Sequence, residues 1–302
     1  MTPLQRYVAE EIATDHADGL MSRREALRRL GLLGLSVGAA SALLAACGDQ
    51  VKEAPLVQSS TPPATITAGP PGAAHAVATQ AISFAGPDGG LHAAWAAAES
   101  PRGAVLVIHE NKGLTDHHKN VAGRFAGAGY SAMALDLLSR NGGTAHFSDP
   151  AQATAALTGT PAADLVADIQ AAIGELEVRA DGKKLAMIGF CFGGGLTWQT
   201  LAAGEPRLSA AAPFYGPGPE NPDFSGSKNA AVIAFYGALD NRVNATRDAM
   251  DEALTQAGLV HEIVTEPDAN HAFFNDTGQR YNVVAANDAW KRVLDWFGEH
   301  VG

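Results

Sequence analysis

Cysteine is nearly absent: Cys47 and Cys191 are the only two in 302 residues. Two cysteines cannot build a disulfide framework. Neither lies in a C-x-x-C pair or a Cys/His cluster with zinc-ligand spacing, so each cysteine must be explained singly. Positive charge is also scarce, with 21 Lys and Arg against 32 Asp and Glu and a formal net charge of -11. The first 46 residues carry five Arg and five acids, so their removal leaves the balance unchanged. A chain this acidic repels nucleic acid and anionic membrane surfaces. The longest apolar stretch, Leu30 to Ala46, falls short of the ~20 residues of a full membrane span. No internal repeat points to a solenoid. What remains, with 46% hydrophobic residues, is enough for one large core and one catalytic domain.

The N-terminal part reads as an export segment. Arg23-Arg24 stands just ahead of the run of Gly, Leu, Ala and Ser from Leu30 to Ala46, the layout of a charged region followed by an apolar one. Paired arginines suggest the twin-arginine route, and Leu44-Ala45-Ala46-Cys47 resembles a lipobox, with Cys47 as the residue to be acylated. The competing reading is a short buried helix. Residues 1–46 are thus expected to be a signal, with the export machinery and lipoprotein-processing enzymes as partners and the outer face of a bacterial membrane as the destination. Met1 to Leu20 is unusually long for a leader and contains Glu10, Glu11, Asp15 and Asp18, which makes Met21 an alternative start. Residues 47–80 are rich in Pro, Ala, Thr, Ser and Gly, and are read as a tether.

From residue 81 to 302 short apolar runs alternate with helical patterns. Runs at 104–109, 130–135, 184–189, 210–215, 231–236 and 261–266 suit buried parallel strands, and 81–84 and 91–98 flank the turn Gly86-Pro87-Asp88-Gly89-Gly90. Stretches 118–128, 162–179, 196–203, 246–256 and 283–300 have helical length and spacing. This alternation predicts a mostly parallel sheet with helices on both faces, and reactive groups in loops at the C-terminal ends of the strands.

Gly189-Phe190-Cys191-Phe192-Gly193-Gly194-Gly195 follows one such strand and opens a helix, the setting of a nucleophile elbow. The glycines relieve a tight turn that projects the thiol. The helix start behind it favours a thiolate and offers the Phe192 N–H to an oxyanion. In this α/β-hydrolase order the acid comes next and the histidine last. Asp240 ends a strand 49 residues later, and His271 follows after 31 more. Asp268 is a rival acid, but too near His271 in sequence for the usual layout. Glu110 ends the strand 105–109, in the loop that supplies the second oxyanion donor, here the backbone of Asn111. A carboxylate at that place disfavours the thiolate or holds its proton.

These residues resemble the dienelactone hydrolase family of carboxymethylenebutenolidases from about Ile82 onward. The resemblance rests on His109-Glu110-Asn111-Lys112-Gly113-Leu114, Asp136-Leu137-Leu138-Ser139-Arg140, the elbow, Tyr236-Gly237-Ala238-Leu239-Asp240 and Asn270-His271-Ala272-Phe273-Phe274-Asn275. It implies a Cys191, Asp240, His271 triad, a Glu110 that holds the resting thiol, the opening of cyclic enol esters such as dienelactone, and no metal or organic cofactor. One departure bears on substrate: where the family carries a carboxylate-binding arginine four residues after the histidine, this chain has Asn275, and no arginine lies between Phe147 and Asp168 to match the other. Lys112 and Arg140 are the remaining candidates for holding an anion. Three functions are therefore open: a lactone or small-ester hydrolase, a broader esterase, deacylase or polyester-type hydrolase acting on neutral esters, and a non-catalytic binding lipoprotein.

Overall fold

A computed structural model describes residues 1–48 and 69–302, with the side chains of residues 47 and 48 outside that description. The lipidation reading of Cys47 and most of the stretch read as a tether lie outside the described residues. In chain order the elements are α1 (Pro3–Ala17), α2 (Arg23–Leu32), α3 (Val37–Gly48), β1 (Gln80–Gly86), β2 (Gly89–Ala96), β3 (Gly103–Ile108), α4 (Asp116–Gly127), β4 (Tyr130–Asp136), α5 (Pro150–Gly159) and α6 (Ala162–Ala180). There follow β5 (Leu185–Phe190), α7 (Phe192–Ala202), β6 (Leu208–Phe214), β7 (Ala231–Gly237), α8 (Asn241–Asn244), α9 (Arg247–Gln256), β8 (His261–Glu266) and α10 (Val283–His300).

The eight strands form one sheet in the order β1-β2-β4-β3-β5-β6-β7-β8. The hairpin β1–β2 joins β4 antiparallel, and every other pairing is parallel. Strands β3, β4, β5 and β7 are buried along their whole length, which is why they read as unbroken apolar runs rather than as alternation. Helices on both faces shield them, and Phe125, Phe297, Trp198 and Phe224 pack in that shield. Because six neighbouring strands, β4 through β8 in sheet order, run the same way, the loops after β3, β5, β7 and β8 open at one edge of the sheet, and the candidate site lies there.

Residues 70–79 belong to the body rather than to a free tether. A short 3-10 turn at Ala73–His75 lies on α4, Val77 N–H donates to the Gly123 carbonyl at 2.9 Å, and Arg124 reaches the Pro71 carbonyl. Gly72 has a left-handed φ of 73° and sits against Trp290, where a Cβ would come within 2.8 Å of the indole ring.

The first 46 residues are folded as well. A capping box between Thr2 and Gln5 starts α1, and Ser22 caps α2. The apolar run read as one signal core is broken at Gly34, whose φ of +88° ends one helix before Val37 begins the next. Leu4, Val8 and Ile12 of α1, Leu30 of α2 and Leu44 of α3 are buried at helical spacing and join the core of the molecule. No helix among the described residues is long and apolar enough to cross a membrane.

Candidate active site

Cys191 occupies the sharp turn between β5 and α7 with φ 54° and ψ -114°, a conformation that costs a non-glycine residue strain. Its N–H donates to the Phe214 carbonyl at 3.0 Å, and its carbonyl accepts from Gly195 N–H at 3.0 Å. The glycines of the elbow are there for space: a Cβ on Gly189 would meet the Gly193 carbonyl oxygen at 2.1 Å, and one on Gly193 would meet the Ile108 carbonyl at 2.5 Å. Phe192 is the first residue of α7, so its N–H has no acceptor within the helix and is free to face an oxyanion.

The loops after β7 and β8 bring Asp240 and His271 to the same place. His271 Nδ1 and Asp240 Oδ2 are 2.6 Å apart with both side chains buried, and Asp240 also accepts from Val243 N–H at 3.3 Å. Burial by itself raises the Asp240 carboxyl, but the neighbouring His271 and Arg242 outweigh it and hold the group below the usual carboxylate range. The Tyr215 ring packs edge-on to the imidazole at 5.3 Å. The donor atoms of Cys191 and His271 lie within 4.8 Å of each other.

The immediate surroundings of the thiol come from an unexpected quarter. Tyr7 of α1 places its hydroxyl 3.4 Å from Cys191 Sγ and 3.5 Å from His271 Nε2, and Glu11 Oε2 lies 3.5 Å from the same sulfur. Glu11, Cys191 and His271 are donor types that zinc accepts. Here they are engaged with one another, with Tyr7 and with Asp240. Burial, then the charges of Glu11 and Glu110, push the Cys191 thiol well above its ordinary value. The thiolate expected from the helix start is therefore not favoured while α1 is in place, because desolvation and two carboxylates outweigh the helix dipole.

Glu110 is buried near the sulfur but is bonded elsewhere. Its Oε1 accepts from Tyr215 OH at 3.4 Å and its Oε2 from Asn275 Nδ2 at 2.7 Å. Asn275, the position where the family arginine was sought, thus serves to orient Glu110. Asn111 is buried, its carbonyl accepts from Thr154 Oγ1 at 2.9 Å, and its side-chain amide donates to Glu11 Oε1 at 3.0 Å. Lys112 is exposed on the rim of a cavity of about 290 Å³ that reaches Cys191 and His271. Arg140 requires a correction. Its guanidinium is held by Asp168 at 2.7 Å and by Asp88, and it is not among the residues lining that cavity, so it braces the β1–β2 turn against α6 instead of binding substrate. Asp268, the rival acid, has a φ of 55° in the turn before His271, while Asp240 is the carboxylate on the ring nitrogen.

Sequence reasoning missed Tyr7, Glu11, Arg242 and Arg280. Arg242 lies over the Tyr7 ring at 4.3 Å and donates to its carbonyl at 3.4 Å, and Arg280 holds Asp15 at 2.6 Å and Asp18 at 2.5 Å. One signal was present: Tyr7, Glu11, Asp15 and Asp18 recur at spacings of four, four and three, which puts them on one helix face.

A parallel sheet with an elbow after β5, an acid after β7 and a histidine after β8 defines an α/β-hydrolase, and hence a hydrolytic enzyme. The chain belongs to the dienelactone hydrolase family, whose pattern it matches over residues 90–301. A provisionally named carboxymethylenebutenolidase of Escherichia coli O157:H7 is 33% identical over 223 residues, covering 70% of this chain and 82% of that protein. One of Methylorubrum extorquens, also provisionally named, is 34% identical over 66% of this chain and 73% of its own length. Among solved structures, a provisionally assigned dienelactone hydrolase of Klebsiella pneumoniae superposes with a TM-score of 0.64 at 31% identity, covering 73% of this chain and 98% of that one. The family match begins beyond α1–α3, which lie outside the matched residues.

Proposed function

We propose that the protein hydrolyses a lactone or small ester through an acyl-cysteine intermediate, with Cys191 as nucleophile, His271 as proton carrier and Asp240 as its anchor. The observation that carries this reading is a thiol on a strained strand-to-helix turn, within 4.8 Å of an imidazole whose far nitrogen is fixed 2.6 Å from a buried carboxylate. With the thiol accessible, His271 Nε2 takes its proton and Sγ bonds to the carbonyl carbon. The N–H groups of Phe192 and Asn111 receive the oxyanion, and the imidazolium protonates the departing oxygen. Water, deprotonated by His271, then cleaves the thioester. Asp240 keeps the imidazole in the tautomer that exposes Nε2. Replacing Cys191 by Ala is expected to abolish turnover of an activated aryl ester and of a dienelactone with the fold retained; full activity in that variant defeats the reading.

A second reading, a hydrolase of neutral esters, is favoured by Asn275, which is bonded to Glu110. Comparison of kcat/KM on neutral aryl esters and on carboxylated lactones separates the two. For location, we propose export and acylation at Cys47, supported by the order of paired arginines, apolar run and lipobox. Retention of Cys47→Ser in the membrane fraction would count against it.

A further inference from the structure

The position that Tyr7 occupies is one the proposed reaction needs. An acyl carbon must bond to Cys191 Sγ while its leaving oxygen approaches His271 Nε2, and the Tyr7 hydroxyl stands 3.4 Å from the first atom and 3.5 Å from the second. No ester can be attacked with that phenol in place. Glu11 adds a carboxylate 3.5 Å from the sulfur, and its other oxygen is tied to Asn111.

The outer contacts of α1 are charge contacts of one sense. Among the described residues Arg280, on the wall of the cavity that reaches Cys191, has Asp15 and Asp18 as its ion-pair partners. Arg242 is covered by the Tyr7 ring and bonded to the Tyr7 carbonyl, yet its Nε is buried with no acceptor at all. A buried guanidinium nitrogen with an unmade bond is costly, and the planar group it fits best is a carboxylate bound through two oxygens. Lifting α1 away removes Glu11, Asp15 and Asp18 from the site and leaves Arg242, Arg280 and Lys112. The site then changes from acidic to basic.

We propose that α1 is an intramolecular plug whose acidic face covers the thiol, and that its displacement uncovers two separate anion-attracting positions beside the site, Arg242 where Tyr7 lay and Arg280 where Asp15 and Asp18 lay. This rests on the hydrolase reading for what the thiol does once uncovered, but the occlusion and the anion site are properties of the fold. An anionic ligand is the family's own class; what the plug adds is that the cations exposed on its release lie at positions other than Asn275. Cleavage ahead of Cys47 would carry α1 and α2 away with most of α3.

The test uses the full chain and alkylation of Cys191, followed by mass measurement of its own peptide so that Cys47 does not interfere. Iodoacetamide and iodoacetate deliver nearly the same carbon, one neutral and one anionic. Tyr7→Ala, and separately the latch variant Asp15→Asn/Asp18→Asn, are expected to speed the iodoacetamide reaction about tenfold. In the combined variant the ratio of iodoacetate to iodoacetamide rates is expected to rise about tenfold. Adding Arg242→Gln and Arg280→Gln should return that ratio toward its starting value, while Lys112→Gln should not. Unchanged or slower alkylation in both plug variants, with circular dichroism showing the fold intact, overturns the plug. A ratio indifferent to the two arginines, or equally sensitive to Lys112, overturns the anion site. Faster alkylation with no hydrolysis of any ester would refute the hydrolase reading and leave plug and anion site standing. Full hydrolysis by the unaltered chain, with no gain on release, would do the reverse.

Discussion

The sheet-centred body and the three N-terminal helices are both well packed, but they are held in different ways. In the body, six parallel strands joined by five pairings bury whole runs of side chains, and removing any one of them opens the core. The N-terminal helices add a buried face that includes Leu4, Val8, Ile12, Leu30 and Leu44, and attach besides through hydrogen bonds of Tyr7 and Glu11 and through ion pairs of Arg280 with Asp15 and Asp18 and of Arg28 with Asp149. The sheet is knit by backbone pairing as well as by the core, whereas the docked helices are held by side-chain contacts alone. The second kind of attachment opens locally at a lower free energy than global unfolding.

Perturbations of the body should therefore be global or chemical, and those of the helices local. The largest effect is expected for Asp240→Asn, which should lower kcat by roughly 10²- to 10⁴-fold, measured on an activated ester, with the melting temperature nearly unchanged. Gly193→Ala forces a Cβ to within 2.5 Å of the Ile108 carbonyl and should cost about 3 kcal/mol or more, read as a drop in the main thermal transition. Leu30→Ala, at a fully buried position of α2, should cost about 2–4 kcal/mol. That loss should appear as faster alkylation of Cys191 and lower amide-exchange protection in residues 1–48, with the main transition in place. A shift of the main transition by the full amount would erase the distinction between the two regions.

A smaller effect concerns Glu266 at the end of β8. Burial, followed by the neighbouring Asp288, pushes its carboxyl up to about 7, and Oε1 has no partner. The folded state then holds a proton that the unfolded state releases at an ordinary glutamate value. Its contribution to stability is thus full at acidic pH and is lost as pH rises toward and through about 7. Glu266→Gln should stabilise the protein above that pH by on the order of 1 kcal/mol, measured by urea titration at two pH values, and should do little at pH 5. Smallest of all, Arg28→Ala removes an exposed pair with Asp149 and should leave stability unchanged within measurement error.

The body was readable in advance because its physics is periodic. Buried parallel strands such as Val105–Ile108 show as apolar runs, and glycines two residues either side of Cys191 mark a turn that nothing larger fits. Helix α5 escaped notice because Pro150–Gly159 is mostly Ala, Thr and Gly with no clear apolar stripe. The elbow, Asp240 and His271 could be named from chain order alone. Tyr7, Glu11, Arg242 and Arg280 could not, since they meet across gaps as wide as the 184 residues between Tyr7 and Cys191 and share no motif. The apolar run Leu30–Ala46 is ambiguous for a physical reason: the small and aliphatic residues that suit an export segment also suit short helices that pack closely. Only the break at Gly34 distinguishes them, and a lone glycine is weak evidence of a break.

Tyr7 reaches Cys191 from the same chain, and this sets how occlusion depends on concentration. An inhibitor joined to its target acts at an effective concentration fixed by the connecting chain, commonly millimolar, however dilute the protein becomes. Once the chain is cut between α1 and the body, the same helix becomes a free peptide at the concentration of the protein itself. Its rebinding turns from a first-order into a second-order event. A single peptide-bond cleavage therefore alters no contact in the site and still changes its occupancy by orders of magnitude, so the docked helix couples a covalent event in the chain to the accessibility of one sulfur atom.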